Sequence, residues 1–111
     1  MEPITIIAFP CAPSGKEEEL KKQFAKLVPA TQAEPGCLSF IVHQHPKIKN
    51  HFAVYEQFVD QAAFEQHLQY EHTRKFVDWI TENSCALSYD NWNSLFNPKS
   101  KNDYDNTKDI K

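Results

Sequence analysis

The spacing of apolar residues changes several times along the chain, and these changes predict alternating strands and helices. Residues 4–9 are β-branched and almost wholly apolar, which predicts a strand covered on both faces. A capping box from Ser14 to Glu17 then predicts a helix, and Pro29 is expected to kink or end it. The apolar stripe of this helix comprises Leu20, Phe24, Leu27 and Val28.

Two segments of alternating residues follow and are joined by a polar turn. In residues 37–45, and again in residues 51–58, successive residues fall into two sets, as they do on the two faces of a strand. Residues 46–50 between them are mostly polar and begin with a proline. This pattern predicts a β-hairpin.

The remaining part of the pattern predicts further helix and one more strand. Asp60 is placed to cap a second helix, whose periodicity breaks at Glu71 or His72 before a further helical segment reaches about Asn83. Residues 86–96 then predict the last strand. The resulting order β-α-β-β-α-β is the ferredoxin-like split arrangement, which belongs to the α+β class.

Such a sheet carries its helices on one face and leaves the other face bare. The first three predicted strands have no fully polar face, so the bare face is expected to expose an apolar patch that is unusual for a monomer. We therefore expect a homodimer in which two sheets close face to face as an α+β barrel. The domain is expected to span residues 1–96, followed by a polar, flexible tail at residues 97–111.

Composition narrows the class of protein. The 111 residues allow one domain, and a net charge of -3 argues against binding to nucleic acid. With only 2 glycines, the chain has no glycine-rich loop to cradle a phosphate or a dinucleotide. The 3 cysteines are widely spaced, and no apolar run is long enough to cross a membrane. We expect a cytoplasmic protein with reduced thiols that does not bind membranes.

Glu56 and His67 are the leading candidates for chemistry. Glu56 lies in a strand composed largely of apolar residues, where an isolated charge is costly to bury. His67 lies on the inward stripe of the next helix and is a candidate partner for this carboxylate. A carboxylate bonded to one imidazole nitrogen fixes the tautomer and makes the ring a better general base. The alternative is a core histidine and an edge-strand glutamate with purely structural roles.

The other histidines give a weaker indication of a metal site. His43 and His45 point the same way along one strand and, with Glu56, could bind a metal, although an exposed pair at a hairpin end is the commoner arrangement. His67 and His72 lie about 140° apart around a continuous helix, which does not bring their rings together. We therefore expect no metal site.

Six segments of the chain, taken in order, carry a resemblance to a known family. They are PSGKEEEL at 13–20, AEPGCLSF at 33–40, HQ at 43–44, YE at 55–56, AAFEQHL at 62–68 and HTRKF at 72–76. These segments closely resemble the antibiotic biosynthesis monooxygenase family, particularly its small quinol-monooxygenase-like branch. The resemblance extends over about residues 4–96.

The resemblance implies a dimeric α+β barrel in which each protomer holds an internal pocket. Enzymes of this family oxidise electron-rich phenols or hydroquinones with O₂ and need no flavin, haem or metal, so we expect no cofactor and a small aromatic or quinol-like substrate. The family's recurrent pocket carboxylate and histidines correspond to Glu56, His67 and His72, the expected catalytic residues. Candidate walls of the substrate pocket are Phe40, Val42, Phe52, Val54, Phe64 and Phe76.

Two other functions stay open. A related branch isomerises or processes small phosphorylated signal metabolites, which would require cationic ligands in the pocket. Arg74 and Lys75 are the only basic pair nearby. The third hypothesis is a non-enzymatic stress-response module that binds an apolar molecule, with Glu56 and His67 as a buried polar pair.

Overall fold

A computed structural model describes residues 2–96, so the tail predicted at residues 97–111 lies outside the described part of the chain. The strands are β1 (Ile4–Cys11), β2 (Cys37–Gln44), β3 (Phe52–Phe58) and β4 (Ala86–Trp92). The helices are α1 (Glu17–Gln32), α2 (Gln61–Gln69) and α3 (Glu71–Glu82). The predicted order of strands and helices is confirmed, with the second helical region divided into α2 and α3.

The four strands form one antiparallel sheet in the order β2-β3-β1-β4. This is the ferredoxin-like arrangement predicted from the sequence. The buried side chains of β1 and β3 pack with the apolar stripe of α1 and with α3 in the main core. At its centre, the ring of Phe24 contacts Phe52 and Phe76, with centroids 5.6 and 5.0 Å away.

Helix α1 differs from its prediction at both ends. The predicted capping box does not form: Gly15 adopts a φ of 92°, its amide donates to Glu17 Oε1, and Lys16 rather than Ser14 occupies the cap position. Of the two outcomes expected at Pro29, a kink or an end of the helix, the end is excluded, because α1 continues to Gln32. Packing of the buried last turn, which includes Thr31, outweighs the missing amide hydrogen bond.

The break between α2 and α3 falls at a single residue, Tyr70. Its backbone is extended, with φ −64° and ψ 147°, so it ends α2 and also precedes the first turn of α3. Asp60 caps α2 as predicted, because its Oδ1 accepts a hydrogen bond from the amide of Ala63 at 2.8 Å. Strand β4 is shorter than predicted and ends at Trp92, and Phe96 beyond it is largely exposed.

The sheet face opposite the helices is uncovered in the protomer. Its register places alternate residues of all four strands on this face, and several of them are apolar. They include Ile7, Phe9, Ile41, Tyr55 and Trp92, which we call the open face. Phe9, Ile41 and Trp92 are each about half exposed. Among residues 2–96, no helix is long and apolar enough to cross a membrane.

Candidate active site

A cavity of about 420 Å³ lies between the sheet and the three helices, and its walls are mainly apolar. Of the six predicted walls, the four that line it are Phe40, Val54, Phe64 and Phe76. The other two predictions do not fit the structure: Phe52 is buried in the core against Phe24, and Val42 packs at the edge of that core. The polar side chains in the lining include Glu56, His67, Thr73, Arg74, Asp78 and Tyr89.

His67 is a buried member of this lining and is only 4% exposed. It lies on α2 three residues after Phe64, and residues at this spacing share a face of a helix. The ring of Phe58 lies 5.0 Å from the imidazole, centroid to centroid, and the ring of Phe40 lies 5.9 Å away. The aromatic rings fix the imidazole at the cavity wall.

The carboxylate that holds His67 is Glu34, not Glu56 as the sequence suggested. Glu34 Oε2 lies 2.8 Å from Nδ1 of His67, and both side chains are buried. None of residues 2–96 forms a hydrogen bond with the carboxyl group of Glu56. The expected pair was wrong because the pattern of strand and helix faces shows which residues point inward, but it does not show how far a loop reaches under a helix.

Glu34 reaches His67 from the turn that connects α1 to β2. The amide of Glu34 donates to the Thr31 carbonyl at 3.0 Å, and its own carbonyl accepts from Cys37 at 3.1 Å, which closes the turn. Gly36 lets this turn approach α2, because a Cβ on it would lie 2.4 Å from Cβ of Ala63. The sequence indicated a turn at residues 34–36, and the acidic residue in it was the one sequence signal that could have identified Glu34. The burial of this turn is seen only in the structure.

His72 meets the same carboxylate oxygen from the other side. Its Nε2 lies 2.6 Å from Glu34 Oε2, and its ring stacks on Tyr70 with centroids 5.1 Å apart. A continuous helix would keep the rings of His67 and His72 apart, but the extended backbone at Tyr70 interrupts the helix between them. His72 is absent from the cavity lining and lies behind Glu34, with its side chain 24% exposed.

These contacts fix the tautomer of His67. A carboxylate oxygen accepts hydrogen bonds, so the Nδ1 that faces Glu34 carries a proton. Burial lowers the pKa of His67 below its ordinary value of 6.5, although the hydrogen bond and the charge of Glu34 act in the opposite direction. The ring is therefore neutral at pH 7, and its unprotonated Nε2 is left to meet a molecule in the cavity. Thr73 Oγ1 lies 3.3 Å from Nδ1 and makes a weaker contact.

Glu56 is a second titratable group in the same cavity. Its environment raises its pKa, whereas that of His67 is lowered. It lies in β3, opposite Ile6 and Phe40, with its side chain on the helix-covered face. Burial, together with the charge of Glu34, raises the pKa of Glu56 from 4.5 to about 8. At pH 7 it is a protonated acid that can donate a hydrogen bond. The cavity thus holds a neutral base and a neutral acid.

The histidines considered from the sequence as metal ligands, His43 and His45, lie apart from Glu56 and His67. His43 and His45 are exposed as expected, and the Nδ1 of His45 accepts hydrogen bonds from two backbone amides of the hairpin. His43 lies opposite Ala53, so it is on the open face rather than on the face of Glu56. These three residues therefore do not form the considered metal site.

The basic pair is divided between the cavity and the surface. Arg74 lines the cavity, whereas Lys75 forms an exposed ion pair with Glu71 at 3.2 Å. A phosphate in the cavity would therefore meet one of the two cationic side chains.

Comparisons with known proteins agree with this architecture. The family model for antibiotic biosynthesis monooxygenase matches residues 3–79. A protein of known structure from Pseudomonas aeruginosa is 31% identical with a TM-score of 0.79, and the match covers 86% of this chain and 96% of that one. A structure described as antibiotic biosynthesis monooxygenase is 22% identical with a TM-score of 0.77, covering 83% of this chain and 98% of that one.

A more distant structure, from Mycobacterium tuberculosis, has a TM-score of 0.79 at 17% identity, and the match covers 89% of this chain and 100% of that one. Structures this dissimilar in sequence, like the 22% identical one, are evidence for the fold alone. No match to a curated protein was found.

Proposed function

Because the chain belongs to the antibiotic biosynthesis monooxygenase family, we propose that it is a cofactor-independent monooxygenase that oxidises a small phenol or hydroquinone with O₂ to a quinone. Membership of the family supports a monooxygenase-like or small-molecule-binding role. The observation that carries the finer proposal is the neutral imidazole of His67, held by buried Glu34 with its Nε2 available in an apolar cavity.

The first step is removal of a phenolic proton by Nε2 of His67. The imidazolium that forms is stabilised by Glu34, which accepts the hydrogen bond from Nδ1 and carries the opposite charge. An imidazole whose pKa is lowered below its ordinary 6.5 is suited to this step, because its neutral form predominates at pH 7.

The substrate then supplies the electrons. The phenolate transfers one electron to O₂, and the substrate radical and superoxide combine at a ring carbon that bears hydrogen. The imidazolium returns its proton to the peroxide anion, and the resulting hydroperoxide loses water, leaving one oxygen atom as a carbonyl and the other in the water. The chain contributes a mainly apolar cavity that positions the ring.

Glu56 is suited to hydrogen-bond the reacting oxygen atoms. Because its pKa is raised to about 8, it can donate a proton to a second substrate oxygen or to the developing hydroperoxide. Its place in the cavity wall puts it in the same cavity as His67. A charged carboxylate there would repel a phenolate, so the neutral form favours the reaction.

A homodimer is part of the proposal. The open face exposes apolar side chains on all four strands, and β4 is exposed along its whole length. A second copy of the same face would cover these residues, as two sheets pack when they form a common core.

Two alternative functions use the same cavity differently. Arg74 in the lining favours an anionic substrate such as a small phosphorylated metabolite, but Lys75 is paired on the surface and does not assist it. A binding protein without catalysis would need only the apolar walls. In that case the imidazole, Glu34 and Glu56 would serve as buried polar groups.

Oxygen uptake with a panel of phenols and hydroquinones tests the proposal. We expect substrate-dependent uptake by the wild type, and a rate lower by roughly 10²- to 10⁴-fold in His67→Ala. His67→Gln is the companion variant, because its amide can still donate to Glu34 but cannot act as a base. His51→Ala is the matched control, since His51 is an exposed histidine at the hairpin.

Circular dichroism and thermal unfolding establish the folded fraction of each variant, and rates are expressed per folded protein. Equal rates in the wild type and His67→Gln would contradict the proposed base. Thermal stabilisation by aromatic ligands with no oxygen uptake would favour the binding protein. Stabilisation by phosphorylated compounds that is lost in Arg74→Ala would favour the phosphorylated metabolite.

A further inference from the structure

Glu34, His67 and His72 form a cluster whose geometry goes beyond the positioning of a base. One oxygen of Glu34 contacts Nδ1 of His67 at 2.8 Å and Nε2 of His72 at 2.6 Å. The three ligand atoms all lie within 4.8 Å of one another. Two imidazole nitrogens and one carboxylate oxygen are a ligand set that binds Zn²⁺ and related transition cations.

The cluster needs small movements to bind such an ion. Bonds of about 2.0–2.1 Å in a tetrahedral site place neighbouring ligand atoms about 3.3 Å apart. The present nitrogen–oxygen distances are shorter because a proton, rather than a metal, lies between each pair of atoms. The two nitrogen–oxygen distances would have to lengthen by about 0.5 and about 0.7 Å, and the two nitrogens, which lie within 4.8 Å of each other, would have to settle at about 3.3 Å. Movements of the Glu34, His67 and His72 side chains can supply this.

Access and a further ligand are also present. The side chain of His72 is 24% exposed, whereas those of Glu34 and His67 are about 5% exposed, so an ion would enter past His72. The hydroxyl of Thr73 lies 3.3 Å from Nδ1 of His67, and it or a water molecule can take the fourth position. The imidazole ligands favour a transition cation over Mg²⁺ or Ca²⁺, which prefer oxygen.

We propose that Glu34, His67 and His72 bind Zn²⁺ or a similar divalent transition cation, and that the bound ion switches His67 to the tautomer that cannot act as a base. When Nδ1 binds the metal, the proton of the neutral ring must lie on Nε2. His72 likewise binds through Nε2, so the proton of its neutral ring moves from Nε2 to Nδ1. Both rings stay neutral and no electron is transferred. The inhibition, unlike the binding, rests on the proposed function.

Metal binding is measured without reference to activity. Protein freed of metal with a chelator is titrated with Co²⁺, whose visible absorption reports imidazole coordination. We expect one strong site per protomer in the wild type and in His51→Ala, and loss of that site in His72→Ala. No Co²⁺ site in the wild type, or one retained in full in His72→Ala, would overturn the proposal.

The tautomer is observed by nitrogen NMR of labelled protein with and without Zn²⁺. We expect Nε2 of His67 to become protonated when one equivalent of Zn²⁺ is added, and an unchanged Nε2 would overturn the proposed switch. Oxygen uptake is then measured with and without Zn²⁺, and the rate of each protein is divided by its own metal-free rate. We expect Zn²⁺ to inhibit the wild type more than His72→Ala. Absence of uptake in the metal-free protein would count against the monooxygenase alone, because the absorption and NMR results still decide the metal site.

Discussion

Glu34 Oε2 lies 2.8 Å from Nδ1 of His67, although the two residues are 33 positions apart in the chain. The bond joins the turn before β2 to the last turn of α2, and it leaves Nε2 as the nitrogen of His67 that does not face Glu34. In the proposed reaction, Glu34 therefore acts on the substrate through His67, as a positioning residue. The first prediction concerns this bond.

Replacing Glu34 with glutamine should lower turnover by roughly 10²- to 10⁴-fold, because an amide can donate to Nδ1 and so favour the tautomer with the proton on Nε2. The acidic limb of the pH–rate profile should also move to lower pH. The charge and hydrogen bond of Glu34 both raise the pKa of His67, so their loss lowers that pKa further. Glu65→Gln, which changes an exposed carboxylate on α2, is the matched control.

The second prediction is a bell-shaped dependence of kcat/KM on pH. The rate should fall below the pKa of His67, which lies under 6.5, and should fall again above about pH 8 as Glu56 ionises. Glu56→Gln keeps a neutral hydrogen-bond donor, so it should remove the basic limb and leave the acidic limb in place. If the basic limb persists in Glu56→Gln, that limb belongs to a titratable group other than Glu56.

The third prediction concerns stability rather than rate. Glu56 has a pKa near 4.5 when unfolded and about 8 when folded, so the folded state binds the proton more tightly. Its contribution to stability is complete below pH 4.5 and declines as pH rises to about 8, by an amount on the order of a few kcal/mol. Urea unfolding at a series of pH values should show this decline in the wild type and not in Glu56→Gln. Parallel curves for the two proteins would contradict the raised pKa.

The fourth prediction uses the close approach of the turn to α2. Gly36→Ala would place a Cβ 2.4 Å from that of Ala63, so we expect a loss of about 1–3 kcal/mol of stability and a lower turnover per folded protein. The double variant Gly36→Ala with Ala63→Gly should recover much of both losses. Gly15→Ala is the control: its strain comes from a φ of 92° with open space around it, so turnover should be unchanged. Equal effects at both glycines would contradict a specific contact.

The fifth prediction concerns the open face. Ile41→Lys should convert a dimer into a monomer in sedimentation experiments, because it places a charge among apolar side chains that the second copy would cover. Ile48→Lys is the control, since both isoleucines are 47% exposed in the protomer but Ile48 lies in the hairpin turn. A wild type that sediments as a monomer would contradict the proposed dimer. A dimer that is unchanged in Ile41→Lys would show that the dimer interface is not the open face.

Periodicity was sufficient to predict the architecture, and it was less informative about the site. Alternation in β2 and β3 and the helical stripe of α1 reflect burial directly, so the ferredoxin-like order could be predicted. The cavity position of His67 also followed from its place beside Phe64 and Leu68 on α2. These features depend on local spacing alone.

The partner of His67 could not be predicted in the same way. Glu34 lies in a turn without periodicity, and its burial results from the approach of that turn to Ala63. The meeting of His67 with His72 depends on the backbone of Tyr70, a residue with no strong tendency to end a helix. Both relationships are tertiary, and neither appears as a spacing in the sequence.

The distance along the chain between Glu34 and His67 has a consequence for the order of events in folding. The segment between them contains the whole β2–β3 hairpin, so their bond is a non-local contact that requires α2 to be docked beside the turn. In a partly folded chain the imidazole would be hydrated and free to adopt either tautomer. If His67 is the base, as proposed, it is oriented only in the completed fold, and we expect a nascent or damaged chain not to start the oxidation of a bound phenol.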